Sequence, residues 1–186
     1  MKTANTYGHR VLKYGASSLA GFVLISSALS YCGYRLNSTP SVPVGLWKVD
    51  ALSDSVQRGQ IVSVQTPDTG CFQLAKSRGY IGAGPCAGGY ASLLKPVAAI
   101  AGDSVIVSAQ GIAVNGALLK NSNAMTRDGF GRSLTPTQNG RYIVRPGTVW
   151  LVSNCARSFD SRYFGAVPTA NVLGTARPIW IGGTIQ

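Results

Sequence analysis

From Tyr14 to Tyr34, between Lys13 and Arg35, the chain carries no charged side chain: YGASSLAGFVLISSALSYCGY. About 21 residues at the helical rise of ~1.5 Å are enough to cross a hydrocarbon core of about 30 Å. A spanning segment must satisfy its own backbone, so a transmembrane helix over 14–34 is the expectation. Lys2, Arg10 and Lys13 precede it, and positive charge stays in the cytoplasm. That makes 1–13 a cytoplasmic tail and 35–186 a translocated body. Serines and glycines dilute the apolar character, and Ala28-Leu29-Ser30 has the small-x-small form of a secretory cleavage site. A retained anchor and a removed signal both remain open, and either one exports everything after Arg35. Tyr31 and Tyr34 would sit at the outer membrane interface, which favours amphipathic rings.

The residues the chain lacks narrow its chemistry. Its six acids are all aspartates, and its one histidine is His9, on the far side of the apolar segment from the body. A Ser/His/Asp or Cys/His site needs an imidazole within hydrogen-bond reach of the nucleophile, and the exported body has none. HExxH and any Cys/His ligand cluster are also missing, so neither a metal nor a cofactor is expected. A hydrolase of this composition needs lysine or aspartate as its general base. Seventeen basic side chains give a formal net charge of +11. That excess suits an anionic lipid surface, nucleic acid or an acidic substrate and does not choose among them.

Beyond Trp47 short β-rich runs alternate with turn signals: QIVSVQ, DSVIVS, GIAVNGALL, GRYIVRPGTVWLVS and ANVLGTARPIWIGG. Asn115-Gly116 is a strong two-residue hairpin signal. The stretch NSNAMTRDGFGRSLTPTQNG reads as a long loop. No helical apolar period of useful length follows residue 35, so the body is expected to be mainly β, a coiled antiparallel or barrel-like structure. Cys71 and Cys86 bracket the Gly-rich stretch CFQLAKSRGYIGAGPC, and in an oxidising compartment a disulfide between them is expected. Closing such a loop contributes on the order of 3 kcal/mol. Cys32 and Cys155 read as buried or unpaired thiols.

Three stretches carry candidate chemistry. In NSTPSVPVGLWKV, Ser41 lies between two prolines and is either a turn residue or a presented nucleophile. In YASLLKPVAAIAGDSVIV, Lys95 is embedded in apolar residues. Burial disfavours the ammonium and yields a neutral amine able to accept a proton, although a lysine snorkelling from a strand end gives the same pattern. Pro96 biases Lys95 toward extended backbone. In SNCARSFDSRYFG, Ser158, Asp160, Ser161 and Arg162 fall within one polar segment, where Asp160 and Arg162 can pair and a hydroxyl can orient a lysine amine.

Taken in order, the apolar segment, SVPVGLW, LLKPVAAIAGD and SFDSRYFG resemble the signal peptidase I family of Ser/Lys proteases. Within it, Ser41-Val42-Pro43-Val44-Gly45-Leu46-Trp47 is similar to the SxPxGxY form of the TraF-type peptidases of conjugal DNA transfer. The resemblance implies a signal-peptidase β fold, Ser41 as nucleophile and Lys95 as general base. It further implies Ser158 holding the lysine amine, Asp160 and Arg162 supporting the site, and the Ser41 backbone N–H with Thr39 forming the oxyanion hole. Pro96 stands where the family commonly has a basic residue, and SNCAR stands where signal peptidases have Gly-Asp-Asn-Arg. The implied activity is serine endopeptidase action at the periplasmic face of a bacterial inner membrane. The implied partner is a pilin precursor that is cleaved and cyclised, with other conjugation or secretion components nearby. General removal of signal peptides is the alternative within the family. Outside it stands a non-enzymatic basic β domain that scaffolds a secretion or conjugation channel. Direct nucleic-acid binding is not expected, because aromatic residues interleave with Lys and Arg only in RYFG and GRYIVR.

Overall fold

The computed structural model describes residues 28–52 and 55–182. The chain divides into two units, Met1–Arg35 and Leu36–Gln186. In the first, residues 28–31 are helical. Gly33, at φ 83°, ends that turn as Cys32 N–H donates to the Ala28 carbonyl over 2.9 Å. The expected transmembrane segment lies largely outside the described residues. Among those described, no helix is long and apolar enough to cross a membrane.

In chain order the elements are β1 (Tyr34–Asn37), β2 (Gly45–Asp50), β3 (Ile61–Val64), α1 (Gly70–Ser77), β4 (Ala83–Cys86) and β5 (Leu93–Ala99). They continue with β6 (Ser104–Ser108), β7 (Gly111–Val114), β8 (Ala117–Leu118), β9 (Gly140–Ile143), β10 (Thr148–Leu151), α2 (Ser161–Phe164), β11 (Val167–Pro168) and β12 (Val172–Ile181). One seven-stranded sheet runs β1-β2-β12-β3-β5-β10-β11, and a four-stranded sheet runs β8-β7-β6-β9. The pairings are antiparallel, in line with the mainly β expectation.

Period-two burial accounts for the strands. Val105 and Val107 of β6 are buried while Ile106 faces outward. In β10 the same alternation sends Val149 and Leu151 into one core, with Val62, Val64 and Val97, and Trp150 into a second, with Val105, Ile112 and Val114. Each such buried aliphatic side chain contributes roughly 1.5–3 kcal/mol. Asn115 at φ 50° and Gly116 at φ 85° make the expected tight turn between β7 and β8.

Three features depart from expectation. The run GRYIVRPGTVWLVS is not one strand but β9 and β10, in different sheets. Pro146 and Gly147 (φ 74°) turn the chain between them, with Thr148 N–H donating to the Arg145 carbonyl at 3.1 Å. Residues 70–77, read as part of a loop, form α1, which buries only Phe72 and Ala75 and is too short to show a period. The expected Cys71–Cys86 disulfide is not formed, and both thiols are free. Cys71 lies in the first turn of α1 with its Sγ 3.8 Å from the Tyr163 carbonyl oxygen, whereas Cys86 ends β4 and packs at the rim of the Phe72–Tyr90 cluster.

Candidate active site

Lys95 lies in the middle of β5, directly across from Val62 of β3, and Val97 follows on the same face. Its side chain therefore rises from the rim of the core that holds Val62 and Val97 and is 4% exposed. Ser41 sits in the loop between β1 and β2, and Ser158 in the loop between β10 and α2. The fold brings the three together. Lys95 Nζ is 2.6 Å from Ser41 Oγ and 2.8 Å from Ser158 Oγ, and the two hydroxyl oxygens are 3.0 Å apart. All three side chains are buried. Desolvation pushes the Lys95 amine down from 10.5 to about 8, with Asp160 pulling it back up and Arg162 adding to the fall.

The Ser41 loop is held by side chains from β1, β2 and the segment after β10. Asn37, at the end of β1, donates through Nδ2 to the carbonyls of Thr39, Val42 and Pro43, at 2.7, 2.9 and 3.1 Å. Trp47 Nε1 donates to the Pro43 carbonyl at 3.0 Å while its ring packs with Val42 and Leu94 beneath the loop. Ser153, buried just after β10, donates through Oγ to the Ser41 carbonyl at 2.6 Å and accepts from Cys155 N–H at 3.1 Å. Asn37 and Ser153 were not singled out in the sequence: each is a short polar group in loop-forming sequence, which also suits a solvent-facing turn, so only burial reveals them. Gly45 is required where β12 crosses, because a Cβ there would lie 2.1 Å from the Trp180 carbonyl oxygen.

Asp160 and Arg162 form a fully buried bidentate pair behind the serines, with Nε–Oδ1 at 2.8 Å and Nη2–Oδ2 at 2.7 Å. Asp160 also caps α2 by accepting from Arg162 N–H and receives Ser153 N–H at 3.0 Å. Arg162 spends its remaining donors on the carbonyls of Asn121, Ala156 and Cys155. Burial alone would lower the Arg162 guanidinium, but the Asp160 carboxylate outweighs it and raises it further. Ser161, the other hydroxyl of this stretch, accepts from Leu151 N–H at 2.8 Å and so ties α2 to β10.

Of the two groups expected in an oxyanion hole, the Ser41 N–H has no hydrogen-bond acceptor among the described residues, whereas the Thr39 hydroxyl donates to Asn37 Oδ1 at 3.0 Å. A cavity of about 270 Å³ adjoins Ser153, lined also by Arg58, Val97, Lys120, Val152 and Asn154. Among the described residues no three His, Cys, Asp or Glu side chains converge as metal ligands.

A buried lysine hydrogen-bonded to a serine, reached by this order of stretches, is accompanied by a match over residues 11–181 to the family model described as signal peptidase, peptidase S26. The chain belongs to the signal peptidase family. A conjugal transfer protein TraF of Agrobacterium tumefaciens is 40% identical over 166 residues, covering 87% of this chain and 93% of that relative. A plasmid transfer protein TraF of Escherichia coli is 38% identical over 172 residues, covering 91% and 96%. Among solved structures, a signal peptidase I of Enterococcus faecalis matches with a TM-score of 0.37 at 20% identity, over 66% of this chain and 97% of that one. For a signal peptidase family member, Ser41, Lys95 and Ser158 form the one place where a hydroxyl and a basic group meet in burial among the described residues.

Proposed function

We propose that this chain is a serine endopeptidase of a conjugal transfer system, anchored by residues 14–34 with its body in the periplasm, that cleaves and cyclises a pilin precursor. The observation that supports it most is the 2.6 Å contact of a fully buried Lys95 amine with Ser41 Oγ. The neutral amine accepts the Ser41 proton as Oγ attacks the scissile carbonyl. The Ser41 N–H then stabilises the oxyanion. As the C–N bond breaks, the Lys95 ammonium returns the proton to the leaving amine, and the carbonyl carbon stays on Oγ as an ester. Ser158 accepts from the amine throughout and keeps its lone pair directed at Ser41.

The ester is resolved by a second nucleophile. Water gives a trimmed linear chain, whereas the substrate's own N-terminal amine, held close, wins by effective molarity and gives a ring. Similarity to TraF proteins named for conjugal and plasmid transfer supports the pilin-type substrate over general signal peptide removal. The test is the mass of the pilin product from cells carrying wild type, Ser41→Ala or Lys95→Ala. Wild type should yield a species lighter by one water than the trimmed linear chain, and both variants only precursor. Normal processing in either variant ends the Ser/Lys mechanism, and a linear product in wild type ends cyclisation alone.

A further inference from the structure

The long loop after β8 is not featureless. Arg127 and Ser133 pair as an isolated antiparallel bridge, and the turn between them is built on Asp128. The Asp128 carboxylate accepts from Phe130 N–H and Arg132 N–H, both at 2.9 Å, from Arg132 Nε at 2.6 Å, and from the Tyr80 hydroxyl. Gly131, at φ 76°, closes the turn onto the Asp128 carbonyl at 3.0 Å. These bonds hold Asp128 well below the usual carboxylate range against the effect of burial, so its charge is fixed and spent inside the turn.

At the tip of this rigid turn Phe130 is 85% exposed. The Arg132 guanidinium lies 5.0 Å from the Phe130 ring centre and 5.7 Å from that of Tyr80. Arg78 Nη1 donates to the Ser133 carbonyl at 2.6 Å, and Arg127 Nη1 to the Gly131 carbonyl at 2.8 Å. Arg157 lies over the turn, its Nη2 2.7 Å from where a Gly129 Cβ would sit. Four guanidiniums thus meet the 127–133 turn, one of them over the Phe130 ring, and the carboxylate of Asp128 within that turn is already fully bonded.

We propose that the 127–133 hairpin is a membrane-contact tip, in which Phe130 enters the interface of an anionic bilayer and Arg78, Arg127, Arg132 and Arg157 engage lipid phosphates. The chemistry favours lipid over a folded acidic partner. Arg78, Arg127, Arg132 and Arg157 bring four positive charges to one turn whose carboxylate is already bonded, a surplus of the kind that draws a basic segment to an anionic leaflet. Aromatic rings flanked by basic residues match the depth profile of a bilayer surface, with the ring at headgroup level and the cations in the phosphate layer. Arg157 immediately precedes Ser158, so lipid contact here would hold the Ser41–Lys95–Ser158 cluster close to the bilayer. This is a second membrane contact, separate from the apolar N-terminal segment, and its readout does not depend on cleavage.

The full-length chain carrying Phe130→Trp, reconstituted into vesicles whose lipids have brominated acyl chains, tests it by fluorescence difference against the wild-type chain. In phosphatidylglycerol vesicles the added tryptophan should be quenched by bromine at least twofold more than in phosphatidylcholine vesicles. Raising salt, or adding Arg127→Gln with Arg157→Gln, should reduce that quenching. Equal quenching in the two lipids, or continued access to aqueous iodide in phosphatidylglycerol, overturns the proposal. So does protection of the tryptophan by single-stranded DNA or an acidic peptide in place of lipid. None of these results bears on whether Ser41 and Lys95 cleave a pilin.

Discussion

Lys95→Met should stabilise the protein while ending its chemistry. Burial moves the Lys95 amine from 10.5 to about 8. A fall of that size corresponds to about 3 kcal/mol of disfavoured charge. The sign follows from proton counting. Below pH 8 the amine is protonated in both folded and unfolded chains, and the folded state carries the whole penalty. Between about 8 and 10.5 the unfolded chain binds more protons, so wild-type stability rises with pH across that window. Methionine has nearly the same length and no charge, and its removal of the amine leaves Ser41 Oγ and Ser158 Oγ 3.0 Å apart, close enough to bond each other. Two lost hydrogen bonds subtract about 1 kcal/mol each. The variant should therefore gain roughly 1–2 kcal/mol at pH 7 and, once wild type has shed its penalty, be about 1–2 kcal/mol less stable than wild type by pH 10.5. Urea unfolding of full-length protein, followed through the buried Trp47 and Trp150, reads this directly. A Lys95→Met chain less stable than wild type at pH 7, or a difference that does not change with pH, would refute the argument that Lys95 is held against its own desolvation.

Other outcomes follow from the same geometry. Asp160→Asn leaves the fully buried Arg162 guanidinium without its counter-charge and should cost about 3–5 kcal/mol, seen as a large fall in Tm. Asn37→Ala removes the three bonds that curl the Ser41 loop. Processing should drop more than tenfold while stability falls by only about 1–3 kcal/mol, a split that kinetics and urea unfolding together would reveal. Gly45→Ala forces β2 from β12 at the Trp180 carbonyl, and both Tm and activity should decline, by about 1–3 kcal/mol in stability.

Much of the site was legible because its members carry their chemistry in short local contrasts. A lysine among leucines and valines, or an Asp two residues before an Arg, stands out without any knowledge of the fold. Ser41 was ambiguous alone and became meaningful beside Lys95. Asn37 stayed hidden because a short polar residue before a loop suits any turn, and Ser153 because it holds a backbone carbonyl across the fold, where no spacing rule announces a 112-residue separation from Ser41. The strands were read from alternation, yet β9 and β10 merged into one run because a Pro-Gly turn inside apolar sequence does not say that the chain changes sheets. Helix α1 was missed because its two buried residues fit any pattern. The disulfide expectation rested on compartment and spacing, which say nothing of where Cys71 points; its thiol faces the Tyr163 carbonyl.

The pH dependence of processing by the full-length chain tests the central claim most directly, since the base must be an uncharged Lys95. The rate at low substrate should climb about tenfold per pH unit below about 8 and level off above it. A rate that stays flat from pH 6 to 9, or a Lys95→Met chain that processes as fast as wild type, would contradict it.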